Sequence, residues 1–211
     1  MTRSLNILLL HLDGKLPNIA VMRLAAHHRS AGDFVELRRC DNPRMIERHL
    51  SEPAWDRVYG SLIFERTQSA AHRVLEVYPG AILGGTGFSL GITLEGLGIT
   101  ALHQDYSDYP SWRQSIGFTQ RGCRLRCPFC VVPRKEGSVQ EAQDIWAIWR
   151  GEPWPREFLL LDNDFFGQPR WRDRIDEIRA GGFRVSFNQG INARMLTDET
   201  AAAVASVDYR D

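Results

Sequence analysis

Long apolar runs are missing from this 211-residue sequence. Its most apolar opening stretch, Ile7 to Leu10, is followed at once by His11 and Asp13, whereas a bilayer-spanning helix needs about 20 consecutive apolar residues. No membrane span is expected. Arg3 is followed by too short a run for the apolar core of a secretory leader, so the expected location is the cytoplasm. Net charge is missing as well: 26 Lys and Arg balance 26 Asp and Glu, which argues against a general polyanion binder. Neither an internal repeat nor a low-complexity tract is visible. Cysteine is scarce, with four residues in all, but three of them, Cys123, Cys127 and Cys130, fall within one short stretch and only Cys40 stands apart. A disulfide scaffold is improbable in a chain of this length without an export signal, because a reducing cytosol keeps thiols free. What is plentiful is ordinary: 43% hydrophobic and 10% aromatic residues, enough to bury a core and to exclude general disorder.

Along the chain, strand patterns alternate with helix patterns. Strands are predicted at Asn6 to His11, from Phe34, at Arg57 to Phe64 and at Ala81 to Leu83. Between them lie helices opened by Pro17, near Pro43 to Leu50, and from Thr67 to Val77. This spacing means βαβ units and a parallel sheet, so residues 1 to about 105 read as a small doubly wound α/β domain, Rossmann-like and of flavodoxin type. Residues 86 to 112, glycine-rich and weakly periodic, read as a passage to a second unit. From residue 112 the alternation resumes. Strands are predicted at Ser115 to Thr119, Glu157 to Asp162 and Phe183 to Phe187, with a further one starting at Val207. Helices are predicted over Val139 to Trp149, Trp171 to Ala180 and, capped by Thr197, Asp198 to Ala205.

The segment Gly122-Cys123-Arg124-Leu125-Arg126-Cys127-Pro128-Phe129-Cys130-Val131-Val132-Pro133-Arg134 places three cysteines in C-x3-C-x2-C spacing on one loop after a strand. Structural zinc and electron-transfer iron–sulfur clusters normally take four protein ligands, and no fourth lies nearby: Cys40 belongs to the first unit and the nearest upstream histidine is His103. A cubane held by three thiolates leaves one iron with an open position, the arrangement that separates catalytic from structural metal sites.

This loop, with Phe129 just before the third cysteine, resembles that of the radical S-adenosylmethionine superfamily, and its wider string is similar to the loop of the radical methylthiotransferases. The resemblance covers most of residues 112 to 211 and implies the first part of a TIM-like β/α barrel, in which Cys123, Cys127 and Cys130 ligate a 4Fe-4S cluster. S-adenosylmethionine would chelate the open iron and be cleaved reductively to a 5′-deoxyadenosyl radical. Phe129 would lie over the adenine. Asn163 and Asp164 stand where the family receives the methionine amino group, although the family's glycines are missing, and an Asx turn accounts for the same residues. Asn188, and after it Gln189 and Arg194, follow the third strand and would contact the cosubstrate or substrate; a polar loop fixing the next helix through Thr197 accounts for the same residues. An electron donor of flavodoxin or ferredoxin type is implied; the sequence names no substrate, and the methylthiotransferase similarity suggests RNA as one candidate. Six cations from Arg113 to Lys135 surround the loop; next to an anionic cluster they would raise its reduction potential.

The first unit resembles the cobalamin-binding-like domain that precedes many such barrels, on Leu16-Pro17-Asn18-Ile19-Ala20 and Gly84-Gly85-Thr86-Gly87. The D-x-H-x-x-G pattern of a base-off cobalamin site is absent from His11-Leu12-Asp13-Gly14-Lys15, so the fold is expected without cobalamin. Sulfur insertion is disfavoured too, because only Cys40 is available for an auxiliary cluster. Two other readings stay open: a non-catalytic iron–sulfur or zinc-binding module, and an inactive fragment, since the family barrel has more βα units than are counted here.

Overall fold

The structure is a computed structural model that describes residues 3–40 and 42–209. It divides into two compact units, Met1–Trp112 and Arg113–Asp211. Both are α/β, and each is built on a four-stranded parallel sheet.

The first sheet has the order β2-β1-β3-β4, formed by β1 (Asn6–His11), β2 (Phe34–Arg39), β3 (Arg57–Ser61) and β4 (Ile82–Gly84). Side chains alternate across a strand, and β1 uses both of its faces. Ile7 and Leu9 pack with Val21, Leu24 and Ala25 of α1 (Ile19–Ser30), while Leu8 and Leu10 pack with Ala70, Ala71 and Val74 of α2 (Gln68–Val77). A strand buried on both faces explains the uninterrupted apolar run in the sequence. Asn18 caps α1, its side chain accepting from the Val21 amide. The helix expected over Pro43 to Leu50 is reduced to one 3-10 turn, Pro43–Met45.

Residues 105 to 109, expected as a passage between units, are tied into the first one. Arg29 donates to Asp105 at 2.6 Å and to Asp108 at 2.8 and 3.0 Å, and the Tyr109 hydroxyl lies 3.1 Å from Nδ1 of His11.

The second sheet has the order β10-β9-β8-β5, formed by β5 (Ser115–Gly117), β8 (Glu157–Leu160), β9 (Arg184–Phe187) and β10 (Asp208–Tyr209). A short antiparallel pair, β6 (Gln120–Arg121) with β7 (Gln140–Glu141), stands beside it. The helices are α3 (Val132–Lys135), α4 (Ile145–Ile148), α5 (Trp171–Gly181) and α6 (Asp198–Ala205). Phe158 and Leu160 of β8 meet Ile175 and Ile178 of α5 and Ile145 and Ile148 of α4 in one core. Phe183 sits within that core, edge-on to Phe158, Trp146 and Trp149 at centroid separations of 4.8, 4.9 and 5.5 Å. The two tryptophans pack on Phe183, but Trp146 remains 45% exposed.

The helix predicted over Val139 to Trp149 is overturned in its first half. Gln140 and Glu141 are a strand paired with Arg121 and Gln120, and helix begins only at Ile145 behind the cap of Asp144. The physical reason is long-range: closing the cysteine loop pairs the chain on either side of it, and tertiary pairing overrides a local preference. Thr197 caps α6 as expected, in a reciprocal capping box with Thr200.

Candidate functional site

Strands β5 and β8 lie side by side, and the turns that leave them are knotted together by one buried carboxylate. Asp162, 3% exposed, accepts from the Thr119 amide at 2.7 Å, the Gln120 amide at 3.0 Å and the Thr119 hydroxyl at 2.6 Å. Burial pushes its carboxyl up to about 6, against these hydrogen bonds, which favour the charged form. Gln168 reaches the same hydroxyl at 2.8 Å.

From this knot the chain enters the cysteine loop, which β6 and β7 close at its base. Gly122 stands at the entry with φ of +75°, and a Cβ there would lie 2.2 Å from the Ser138 carbonyl oxygen. Only glycine meets both demands. Glu136, with its side chain 8% exposed, gathers the two ends: it accepts from the Arg121 guanidinium, from the Gly122 amide at 2.9 Å and from Asn163 Nδ2 at 3.1 Å.

Cys123, Cys127 and Cys130 are all partly buried free thiols. The Leu125 amide donates to the Cys123 sulfur at 3.3 Å, and the Cys130 amide to the Cys127 carbonyl at 3.0 Å. Burial pushes the Cys123 thiol up from its ordinary value. Phe129, between the second and third cysteines, is 92% exposed.

Asn163 and Asp164 both turn toward this loop. Asn163 holds Glu136, and Asp164 binds Arg124 through the backbone amide at 3.1 Å, Nε at 2.7 Å and Nη2 at 2.8 Å. Asn188 is exposed and fixed by its backbone, whose amide donates to the Leu160 carbonyl at 2.9 Å. Gln189 and Arg194 are exposed as well. Between the Arg124–Asp164 pair and Gly190, Ile191 and Asn192 lies a crevice of about 10 Å³, room for about one water molecule. A nucleoside-sized ligand does not fit this crevice as it stands.

Three of the six cations meet two acids within the unit. Arg121 pairs with Glu136 and lies over the Phe118 ring at 4.1 Å, Arg124 pairs with Asp164, and Lys135 Nζ is 3.8 Å from Glu136. Arg126 and Arg134 are exposed. Glu136 is visible in the sequence as the one acid close to the cations, whereas Asp164 is not. The sequence separations of 40 between Arg124 and Asp164 and 15 between Arg121 and Glu136 give no local signal of either pairing.

Among the described residues, no three His, Cys, Asp or Glu side chains converge closely enough to hold a metal ion. A mononuclear ion needs its donors on one point, and no such point is assembled among the described residues. A multi-iron cluster takes its thiolates around a larger body. The soft donors of residues 113–211 are three cysteines, with no histidine, a set that suits a thiolate-bound metal.

In the first unit, two features that could have received a ligand are used by the chain itself. Asp13 accepts from the Ile63 and Phe64 amides, each at 2.8 Å, and from the Thr67 hydroxyl at 2.6 Å. In the glycine turn, a Cβ on Gly85 would lie 2.2 Å from the Leu62 carbonyl oxygen, so the turn packs against the backbone that follows β3. No helix among the described residues is long and apolar enough to cross a membrane. The chain matches no protein-family model and no curated protein.

Proposed function

We propose that this chain is a radical S-adenosylmethionine enzyme: it binds a 4Fe-4S cluster through Cys123, Cys127 and Cys130 and cleaves S-adenosylmethionine reductively. The observation that carries this reading is the donor set of the second unit, three cysteines in C-x3-C-x2-C spacing with no histidine, which leaves one iron without a protein ligand. When bound, a cluster held by these three thiolates would supply the electron for reductive cleavage of the cosubstrate's sulfonium.

The protein's own residues prepare the place. Glu136 and the β6–β7 pair close the loop, and Asp162 fixes its start to the end of β8. Phe129 offers an exposed ring for the adenine to stack on, and Asn188, at the carboxyl end of β9, offers an exposed amide to the cosubstrate or substrate. Sites built at the carboxyl ends of parallel strands are the rule in β/α barrels, and we read the second unit as part of such a barrel and the first as a doubly wound scaffold. The self-satisfied Asp13 and glycine turn support a scaffold role without cobalamin. A cytoplasmic setting keeps the thiols reduced, and an electron donor of flavodoxin or ferredoxin type completes the system.

The test is anaerobic reconstitution with iron and sulfide, followed by dithionite and S-adenosylmethionine. About four irons per chain and release of 5′-deoxyadenosine are expected. Zinc bound in preference to iron, or no 5′-deoxyadenosine from a fully loaded cluster, would overturn the reading.

A further inference from the structure

We propose that Asp164 is a positioning residue for the cysteine loop: its pairing with Arg124 holds the position of Cys123 against the turn after β8, and this withholds its carboxylate from the cosubstrate. The second clause rests on the function proposed above; the first does not.

Three hydrogen bonds converge on this carboxylate from one residue. Arg124 presents Nε and Nη2 to the two oxygens at 2.7 and 2.8 Å, and its backbone amide, next in the chain to Cys123, donates at 3.1 Å. A fork-to-fork pair of this kind fixes direction as well as distance. Asp164 is 8% exposed, so water competes poorly for it. Its backbone is held from the same side: its amide donates to Gln120 Oε1 at 3.3 Å, and Gln120 Nε2 donates to the Gly122 carbonyl at 2.6 Å.

A second observation shows that space is made for the pair. A Cβ on Gly167 would lie 2.2 Å from Asp164 Oδ2 and 2.9 Å from Arg124 Nε. Any side chain at position 167 would therefore push into the ion pair. The Gly167 amide donates to the Asp164 carbonyl at 2.7 Å, which closes the turn under it. An ammonium arriving at Asp164 would find three of the roughly four acceptor positions of its carboxylate already taken by Arg124.

The experiment uses the full chain without iron. Limiting iodoacetamide is added at fixed pH, and the rate at each cysteine is read by mass spectrometry. Asp164→Asn removes the charge, and Gly167→Ala disturbs the pair without removing either partner. Each should raise the rate at Cys123 relative to Cys127 and Cys130 by about tenfold, as local opening becomes easier. Asp173→Asn, which removes an exposed ion pair on α5, should leave the ratio unchanged. A ratio unmoved in both test variants, or an equal acceleration of all three cysteines, overturns the clamp. In reconstituted protein, Asp164→Asn should keep the spectral response to S-adenosylmethionine; loss of that response with an unmoved Cys123 ratio would make Asp164 a ligand of the cosubstrate instead. If wild-type protein takes up no iron, the functional reading fails, while the alkylation ratio still decides the clamp.

Discussion

Asp162 carries the most demanding prediction, because its burial and its hydrogen bonds pull in opposite directions. With the carboxyl pushed up to about 6 from an ordinary 3.8, the native state keeps a proton that the unfolded chain has already released between those values. Stability therefore falls as pH rises through this window, and the loss is complete above it. About two pH units at about 1.4 kcal/mol each give a fall of about 3 kcal/mol. Asp162→Asn cannot titrate and lacks this slope, so the stability of wild type minus variant isolates the group from the other carboxylates. At pH 5, where Asp162 holds its proton, the Asn variant keeps an acceptor for the Thr119 and Gln120 amides and should lose about 1 kcal/mol. Asp162→Ala leaves both amides unpaired in a site that water does not reach. At about 1–3 kcal/mol for each of the two unpaired groups, it should lose about 2–6 kcal/mol, or at least about 8 °C in melting temperature for a unit of about 100 residues. Urea unfolding followed by circular dichroism at pH 4 to 7 measures both effects. A wild-type-minus-Asn difference that stays flat or rises with pH would refute the burial argument, and an Ala variant within about 1 kcal/mol of wild type at pH 5 would refute the role of the knot.

The remaining predictions concern the loop and its supports. Gly122→Ala forces a side chain onto a positive φ and into the Ser138 carbonyl; a loss of more than about 1 kcal/mol in denaturant unfolding is expected, and a smaller one would mean that the hairpin relaxes freely. Arg174→Met should cost about 2–3 kcal/mol by freeing Glu141 and Glu177, which Arg174 contacts at 2.9 and 2.6 Å; an unchanged midpoint would show those carboxylates content in water. Arg29→Ala should expose residues 105–109 to limited proteolysis; a digestion pattern equal to that of wild type would refute its anchoring role. Single Cys123→Ala, Cys127→Ala and Cys130→Ala variants should each lose iron on reconstitution while Cys40→Ala retains it. Loss in the last alone would relocate the metal site.

Much of this architecture is legible in the sequence where the controlling interaction is local or repetitive. Ile7 to Leu10 reads as a strand covered on both faces because burial on both sides leaves no polar position, and Thr197 reads as a cap because its partner is three residues away. The cysteine loop is visible through spacing alone. What hides is whatever depends on distant partners. Gln140 and Glu141 look helical until Gln120 and Arg121 claim them. Arg174, with Glu177 three residues on, looks like a surface pair, yet it is 1% exposed and spans to Glu141 on β7. Asp164 reads as an open acceptor because nothing local announces Arg124.

The most direct test of the central claim is the electron paramagnetic resonance spectrum of the reconstituted, dithionite-reduced protein, recorded with and without S-adenosylmethionine. An iron of the cluster that lacks a protein ligand must feel the cosubstrate's amino and carboxylate groups, so the reduced-cluster signal should change on addition. An identical signal in both samples would mean that no iron is open, and that the three cysteines serve another purpose.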